Sequence, residues 1–248
     1  MSNIYEALEH ARREIRAVEP CPDEPIHVEQ PDLSVCDGPG PDMEDEMITL
    51  YQTITASLPG IEHRSVLFMG SRSNEGTSTV ARQLARTVSL RIEKSVLLID
   101  LDRSRPDLHV YANLKQEKNV DEIVECNGEI EEALCQVEES NLYVMPLFQG
   151  VAMTPRTLEF ARGGRFWEPL RKRFDLIIVD SPPATIFPEG PGIVSMVDGV
   201  VLVVEAEKTR WPVALSVKKK IEQSGGRILG IVFNKRKYYI PNWLYKRI

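Results

Sequence analysis

Three short stretches of this 248-residue chain carry residue types that, at their spacing, handle phosphate and metal. The first is Gly70-Ser-Arg-Ser-Asn-Glu-Gly-Thr-Ser-Thr79, set between an apolar run and a helical pattern carrying Val80, Leu84 and Val88. A small-residue loop between strand and helix aims backbone N–H groups and the positive helix end at an anion. Arg72, Asn74, Glu75, Gly76, Thr77, Ser78 and Thr79 are the loop's candidate nucleotide-contacting residues. The usual signature ends in Gly-Lys-Ser/Thr, with the lysine on the terminal phosphates and the hydroxyl on magnesium. Here Gly76 and Ser78 keep their places, and Thr77 stands where the lysine belongs.

A threonine donates one hydrogen bond and brings no charge. Losing a comparable electrostatic stabiliser slows chemistry by roughly 10²–10³. Two compensations are open. Arg72 lies five residues before Thr77, where phosphate loops of the MinD and ParA type carry a second lysine, and it could restore the charge. The alternatives are that Arg72 is a solvated loop arginine, or that nucleotide is held by backbone and magnesium alone.

The second stretch, Val-Leu-Leu-Ile-Asp-Leu-Asp102, places Asp100 and Asp102 at the carboxyl end of an apolar run, where open α/β sheets bind ligands. Two acids there can hold magnesium or its waters, and one can accept a proton from an attacking hydroxyl. The third, Phe-Asp-Leu-Ile-Ile-Val-Asp-Ser-Pro-Pro183, puts Asp180 at the same edge, in the Walker B position of a magnesium-holding aspartate. Ser78, Asp100 and Asp180 are therefore the candidate metal residues, with ATP or ADP and Mg²⁺ as the expected cofactors.

These groups need a sheet and helices to position them. Apolar runs at Ser65–Met69, Ser95–Ile99, Leu142–Met145, Leu176–Val179, Val200–Val204 and Ile228–Phe233 are nearly continuous in Val, Ile and Leu. Such runs suit parallel strands buried on both faces. A helix from about Pro212 to Gly225-Gly226 fits the crossover between the last two. The expected fold is α/β: a mostly parallel sheet with helices on both faces, of the P-loop NTPase type (SIMIBI, MinD-like).

Four segments are expected. Residues 1–17 form an amphipathic helix with Ile4, Leu8, Ala11 and Ile15 on one face. Residues 18–43 form an acidic linker whose prolines, Pro41 among them, exclude regular structure. Residues 44–237 form the P-loop domain, entered through a helix with Met47, Leu50, Tyr51, Ile54 and Leu58 on one face. Residues 238–248 form a basic, aromatic tail.

A formal net charge of −7 argues against a nucleic-acid binder, which relies on a basic surface. No apolar run approaches the ~20 residues that span a bilayer. The charged amino terminus does not read as a signal peptide. Cys21, Cys36, Cys126 and Cys135 form no CxxC pair, which suits reduced thiols and a cytoplasmic chain.

From about Met47 to Lys237 the chain resembles the cytoplasmic domain of the bacterial tyrosine kinases of capsule and exopolysaccharide biosynthesis, within the MinD/ParA-type P-loop proteins. The likeness lies in EGTST, VLLIDLD with RPDLH, NLYVMP, DLIIVDSPP, VDGVVLVVEAEKTR and ILGIVFNK. It implies ATP-dependent phosphorylation of tyrosine, with Asp100 and Asp102 catalytic and Asn234 near the nucleotide base. It further implies Tyr238, Tyr239 and Tyr245 as phosphoacceptors, and a membrane polysaccharide co-polymerase (chain-length protein) as partner, which would bring the chain to the inner face of the cell membrane. The tail could also touch anionic lipid weakly.

The sequence departs from that pattern in three places. The loop lysine is absent, Ser104 replaces an arginine after the second acid, and Thr49, Gln52 and Thr55 replace the charged E-x-x-R-x-x-R helix that drives ring assembly. The expectation is therefore a nucleotide-binding protein of exopolysaccharide assembly or its regulation, with impaired or absent kinase activity. The alternatives are an active tyrosine autokinase and a MinD/ParA-like ATPase.

Overall fold

A computed structural model describes residues 41–101, 123, 128–146, 164–186 and 190–236. The candidate residues Asp102, Tyr238, Tyr239 and Tyr245, and the segments 1–17 and 238–248, lie outside the described residues.

Among the described residues, seven strands form one sheet in the order β3-β4-β2-β5-β1-β6-β7. They are β1 (Arg64–Gly70), β2 (Val96–Asp100), β3 (Cys135–Gln136), β4 (Leu142–Pro146), β5 (Leu176–Asp180), β6 (Gly199–Glu205) and β7 (Ile228–Asn234). All neighbours pair in parallel except β3, a two-residue antiparallel edge on β4. Helices among the described residues include α1 (Pro41–Ser57), α2 (Thr77–Arg91), α3 (Gly164–Arg173), α4 (Gly190–Val194) and α5 (Trp211–Gln223), with a 3₁₀ turn at Ile130–Ala133.

Strand alternation sorts the core into two layers, because successive side chains point to opposite faces. Val66, Phe68, Leu98, Ile178 and Val201 face α1 and α2, where Ile54, Leu58, Leu84 and Val88 cover them. Leu67, Leu97, Ile99, Ile177, Val179 and Leu202 face α3, α4 and α5, against Phe166, Leu170, Ile193, Val217 and Ile221. Central strands β1, β2 and β5 are buried along almost their whole length, which is why their sequences are apolar without alternation.

The helix before β1 corrects the expectation of a linker through residue 43. It starts at Pro41, inside the stretch whose prolines should exclude regular structure. Proline at the first helical position removes an N–H that has no intrahelical partner and brings a φ already suited to the helix.

The amino-terminal edge of the sheet is tied by polar clasps. Asp175, just before β5, accepts hydrogen bonds from the Ser95 N–H and the Ser95 hydroxyl, both at 2.9 Å, and meets Lys94 at 3.4 Å. Burial raises the pKa of this carboxyl, but the Ser95 bonds and Lys94 more than offset it and hold it below the usual carboxylate range. A depressed folded-state pKa gives stability that is present above the unfolded value and lost as pH falls through the folded one. Asp175→Asn is therefore expected to be less stable than the parent at neutral pH, with the difference shrinking below about pH 4. Urea denaturation across that range measures it.

Candidate nucleotide-binding site

The carboxyl ends of β1, β2, β5, β6 and β7 share one rim because these strands are parallel. β1 lies between β5 and β6, so the loop that leaves it is flanked by Asp180 on one side and by the turn after Glu205 on the other.

Glu75 organises the loop from within. It is 2% exposed. Its carboxylate accepts the Ser71 N–H at 2.5 Å, the Ser71 hydroxyl at 2.7 Å and the Arg72 N–H at 2.8 Å. A fourth hydrogen bond comes from the Thr209 hydroxyl, beyond β6. This side chain therefore holds the loop's shape and its contact with the β6 turn, rather than facing a ligand as a cofactor-binding group. Glu75→Ala would leave two N–H donors without partners, at about 1–3 kcal/mol each. A loss of roughly 2–4 kcal/mol in chemical denaturation is expected.

Gly76 takes φ +86° and caps α2, with no side-chain hydrogen bond to the helix's opening N–H groups. Unbonded N–H groups and the positive end of the helix dipole are the kind of feature that attracts an anion. A Cβ on Gly76 would collide with Asn234 Nδ2, so only glycine permits the close approach of β7 to the loop. Thr77 folds back over the loop's start: a Cβ on Gly70 would lie 2.6 Å from Thr77 Oγ1. Its hydroxyl sits by the first loop residue, and no charge occupies the lysine's position. Ser78 is half-buried, while Thr79, Arg72 and Asn74 are exposed. Asn74 adopts a left-handed φ of +66°.

The two described acids stand together. Asp100 and Asp180 end adjacent strands as register partners, at 8% and 3% exposure. Ser181 and Ala184 strap the loop after β5 to β1. The Ser181 N–H donates to the Phe68 carbonyl at 3.1 Å, and the Ala184 N–H donates to the Gly70 carbonyl at 2.9 Å. Asp180 thus sits directly beside the base of the phosphate loop. Its Oδ1 is buried, with no hydrogen-bond donor among the described residues, while the side chain keeps other interactions. An oxygen-lined edge of this kind suits a hard divalent cation. The chain's own groups therefore fit magnesium and a phosphate: Asp100, Asp180 and the Ser78 hydroxyl for the metal, and the α2 end for the anion. Bound magnesium would neutralise phosphate charge.

Asn234, expected near a nucleotide base, is used by the loop itself. Its Nδ2 donates to the Glu75 carbonyl at 2.8 Å, and its Oδ1 accepts the Lys235 N–H at 2.9 Å. Lys235 Nζ in turn donates to the Asn74 carbonyl and lies 3.7 Å from Glu205 Oε2. Neither Thr209 nor Lys235 stands out by motif or spacing. The available signal is topological: in a parallel sheet, whatever follows β6 and β7 must arrive at the rim where the β1 loop lies.

Among the described residues, no helix is long and apolar enough to cross a membrane.

The chain matches no protein-family model. It is 28% identical over 177 residues to the tyrosine-protein kinase CpsD of Streptococcus agalactiae, covering 71% of this chain and 77% of that one. It is 23% identical over 203 residues to the putative tyrosine-protein kinase CapB of Staphylococcus aureus, covering 82% and 89%. Its fold is similar to the kinase domain of the Escherichia coli tyrosine kinase ETK, with a TM-score of 0.68 at 19% identity, covering 80% of this chain and 79% of that one. The MinD cell division protein of Aquifex aeolicus shares the fold at a TM-score of 0.58 and 21% identity, over 74% and 72% of the two chains. The chain is thus similar in sequence to bacterial tyrosine-protein kinases and shares the MinD/ParA-type P-loop fold, with Thr77 in place of the phosphate-loop lysine.

Proposed function

We propose that this protein binds ATP or ADP with Mg²⁺ and acts in exopolysaccharide or capsule biosynthesis or its regulation, with impaired or absent tyrosine-kinase chemistry. One observation carries the reading: a phosphate loop kept in shape by Glu75, Gly76 and Asn234 carries the uncharged Thr77 at the position that stabilises transferring phosphate. The site is built to hold a nucleotide and lacks the group that would drive fast transfer.

The partner in this reading is a membrane polysaccharide co-polymerase, engaged through residues 1–17 or the basic, aromatic tail 238–248. The protein then works from the cytoplasm at the inner face of the membrane, and the tail adds at most weak lipid contact. The kinship with CpsD and CapB supports this setting.

Calorimetric titration with ATP and ADP, with and without magnesium, tests the site. Both nucleotides are expected to bind, more tightly with magnesium. Absence of heat with either one would overturn the reading.

A second reading, an active autokinase that modifies Tyr238, Tyr239 or Tyr245, is favoured by one feature. Asp100 and Asp180 persist as paired, buried acids at the rim.

A further inference from the structure

We propose that Lys235, at the end of the neighbouring edge strand, supplies the phosphate-facing cation that the loop itself lacks, so that the ligand is a nucleoside polyphosphate held by a lysine from outside the loop. This rests on the nucleotide-site reading above and deepens it.

The placement is specific. Lys235 Nζ donates to the carbonyl of Asn74, a loop residue 161 positions away in sequence. Its Cε lies 3.9 Å from where a Cβ on Gly76 would stand, so the ammonium stem runs along the glycine that caps α2. Three features hold it there. The Asn234 side chain bonds both the Glu75 carbonyl and the Lys235 N–H, locking the end of β7 to the loop. The Lys235 backbone takes a left-handed φ of +56°, which turns the chain back at the strand's end. Glu205, at 3.7 Å from Nζ, steadies the charge from the far side.

An ammonium has three N–H donors, of which the Asn74 carbonyl and Glu205 engage two, leaving one for a further acceptor. The side chain is 46% exposed, so an arriving anion can reach it. Helix α2 offers only about half a unit of positive charge at its start. Arg72, the cation expected from the sequence to replace the lysine, is exposed, and its backbone N–H is bound by Glu75. Of the two, Lys235 is the one whose charged end is held against the loop.

The test is the affinity for ATP with magnesium of the parent, Lys235→Met, Lys235→Arg and Arg72→Ala, each at low and high salt, with thermal melting of every variant. Lys235→Met is expected to bind ATP about 10-fold or more weakly, in line with loss of a charge-assisted hydrogen bond, and to show a flatter salt dependence. Lys235→Arg is expected to keep most of the parent's affinity and its salt dependence, and Arg72→Ala to lose less affinity than Lys235→Met. Equal affinity of Lys235→Met and the parent would overturn the inference. So would equal losses in the Met and Arg variants with an unchanged salt response, which would assign Lys235 a purely structural role. A parent that binds no ATP would instead bring down the nucleotide reading itself, and this inference with it.

Discussion

Gly76→Ala is expected to abolish ATP binding and to lower the melting temperature by several degrees. Gly76 holds φ +86°, a region where an alanine is strained by about 1–3 kcal/mol. The added methyl would also collide with Asn234 Nδ2, at a separation no real Cβ tolerates. Asn234 would have to leave the Glu75 carbonyl, giving up about 0.5–1.5 kcal/mol of hydrogen bond and releasing the end of β7. Together these amount to roughly 2–4 kcal/mol, and a domain of this size loses about 2–4 °C for each. Calorimetric melting and ATP titration on the same sample measure both effects. An alanine variant that melts and binds like the parent would show that the loop's shape does not depend on this close approach.

Thr77→Lys is expected to produce the largest gain. The start of α2 and the half-buried Ser78 belong to the loop's end, and Asp180, with Asp100 beside it, ends the strand next to β1. A lysine at position 77 would return the missing charge where phosphate charge develops. The expected gain in phosphoryl transfer is roughly 10²–10³. The substitution loses little packing, because Thr77 is only half-buried and its hydroxyl merely overlies Gly70. Single-turnover transfer from ATP, parent against variant, measures the ratio. An unchanged rate would place the deficit elsewhere in the site.

Much of the frame is legible in the sequence, for a physical reason. A parallel strand covered on both faces can bury only apolar side chains, so VLLID, LIIVD and VVLVV announce themselves as β2, β5 and β6. The elements that escape lack such a signature. β3 is two residues long and owes its strand geometry to pairing with β4. α3 carries Pro169 inside it, which reads as a breaker. The start of α1 at Pro41 escapes because proline's effect depends on position within a helix, and position is what the sequence does not state.

The candidate site is legible in position but not in direction. Spacing singles out Gly76, Ser78, Asp100 and Asp180 as candidates, and Asp100 and Asp180 end adjacent strands as register partners. Spacing does not reveal that Glu75 turns inward to bind its own loop, or that Asn234 bonds the loop's backbone. Nor does it choose between Arg72 and the distant Lys235 for the missing charge. That choice depends on β7 lying beside β6, and β6 beside β1, a sheet order that no local pattern encodes.

On the proposed function, the site holds nucleotide while Thr77 withholds tyrosine-kinase chemistry. Mass spectrometry of Tyr238, Tyr239 and Tyr245 after incubation with ATP and magnesium tests it most directly, on the parent, Thr77→Lys, Asp100→Asn and the double variant. Unmodified tyrosines are expected in the parent, with phosphorylation in Thr77→Lys and its loss when Asp100→Asn is added. Phosphotyrosine in the parent that disappears in Asp100→Asn alone would contradict the claim, and would make the chain an active kinase without a loop lysine.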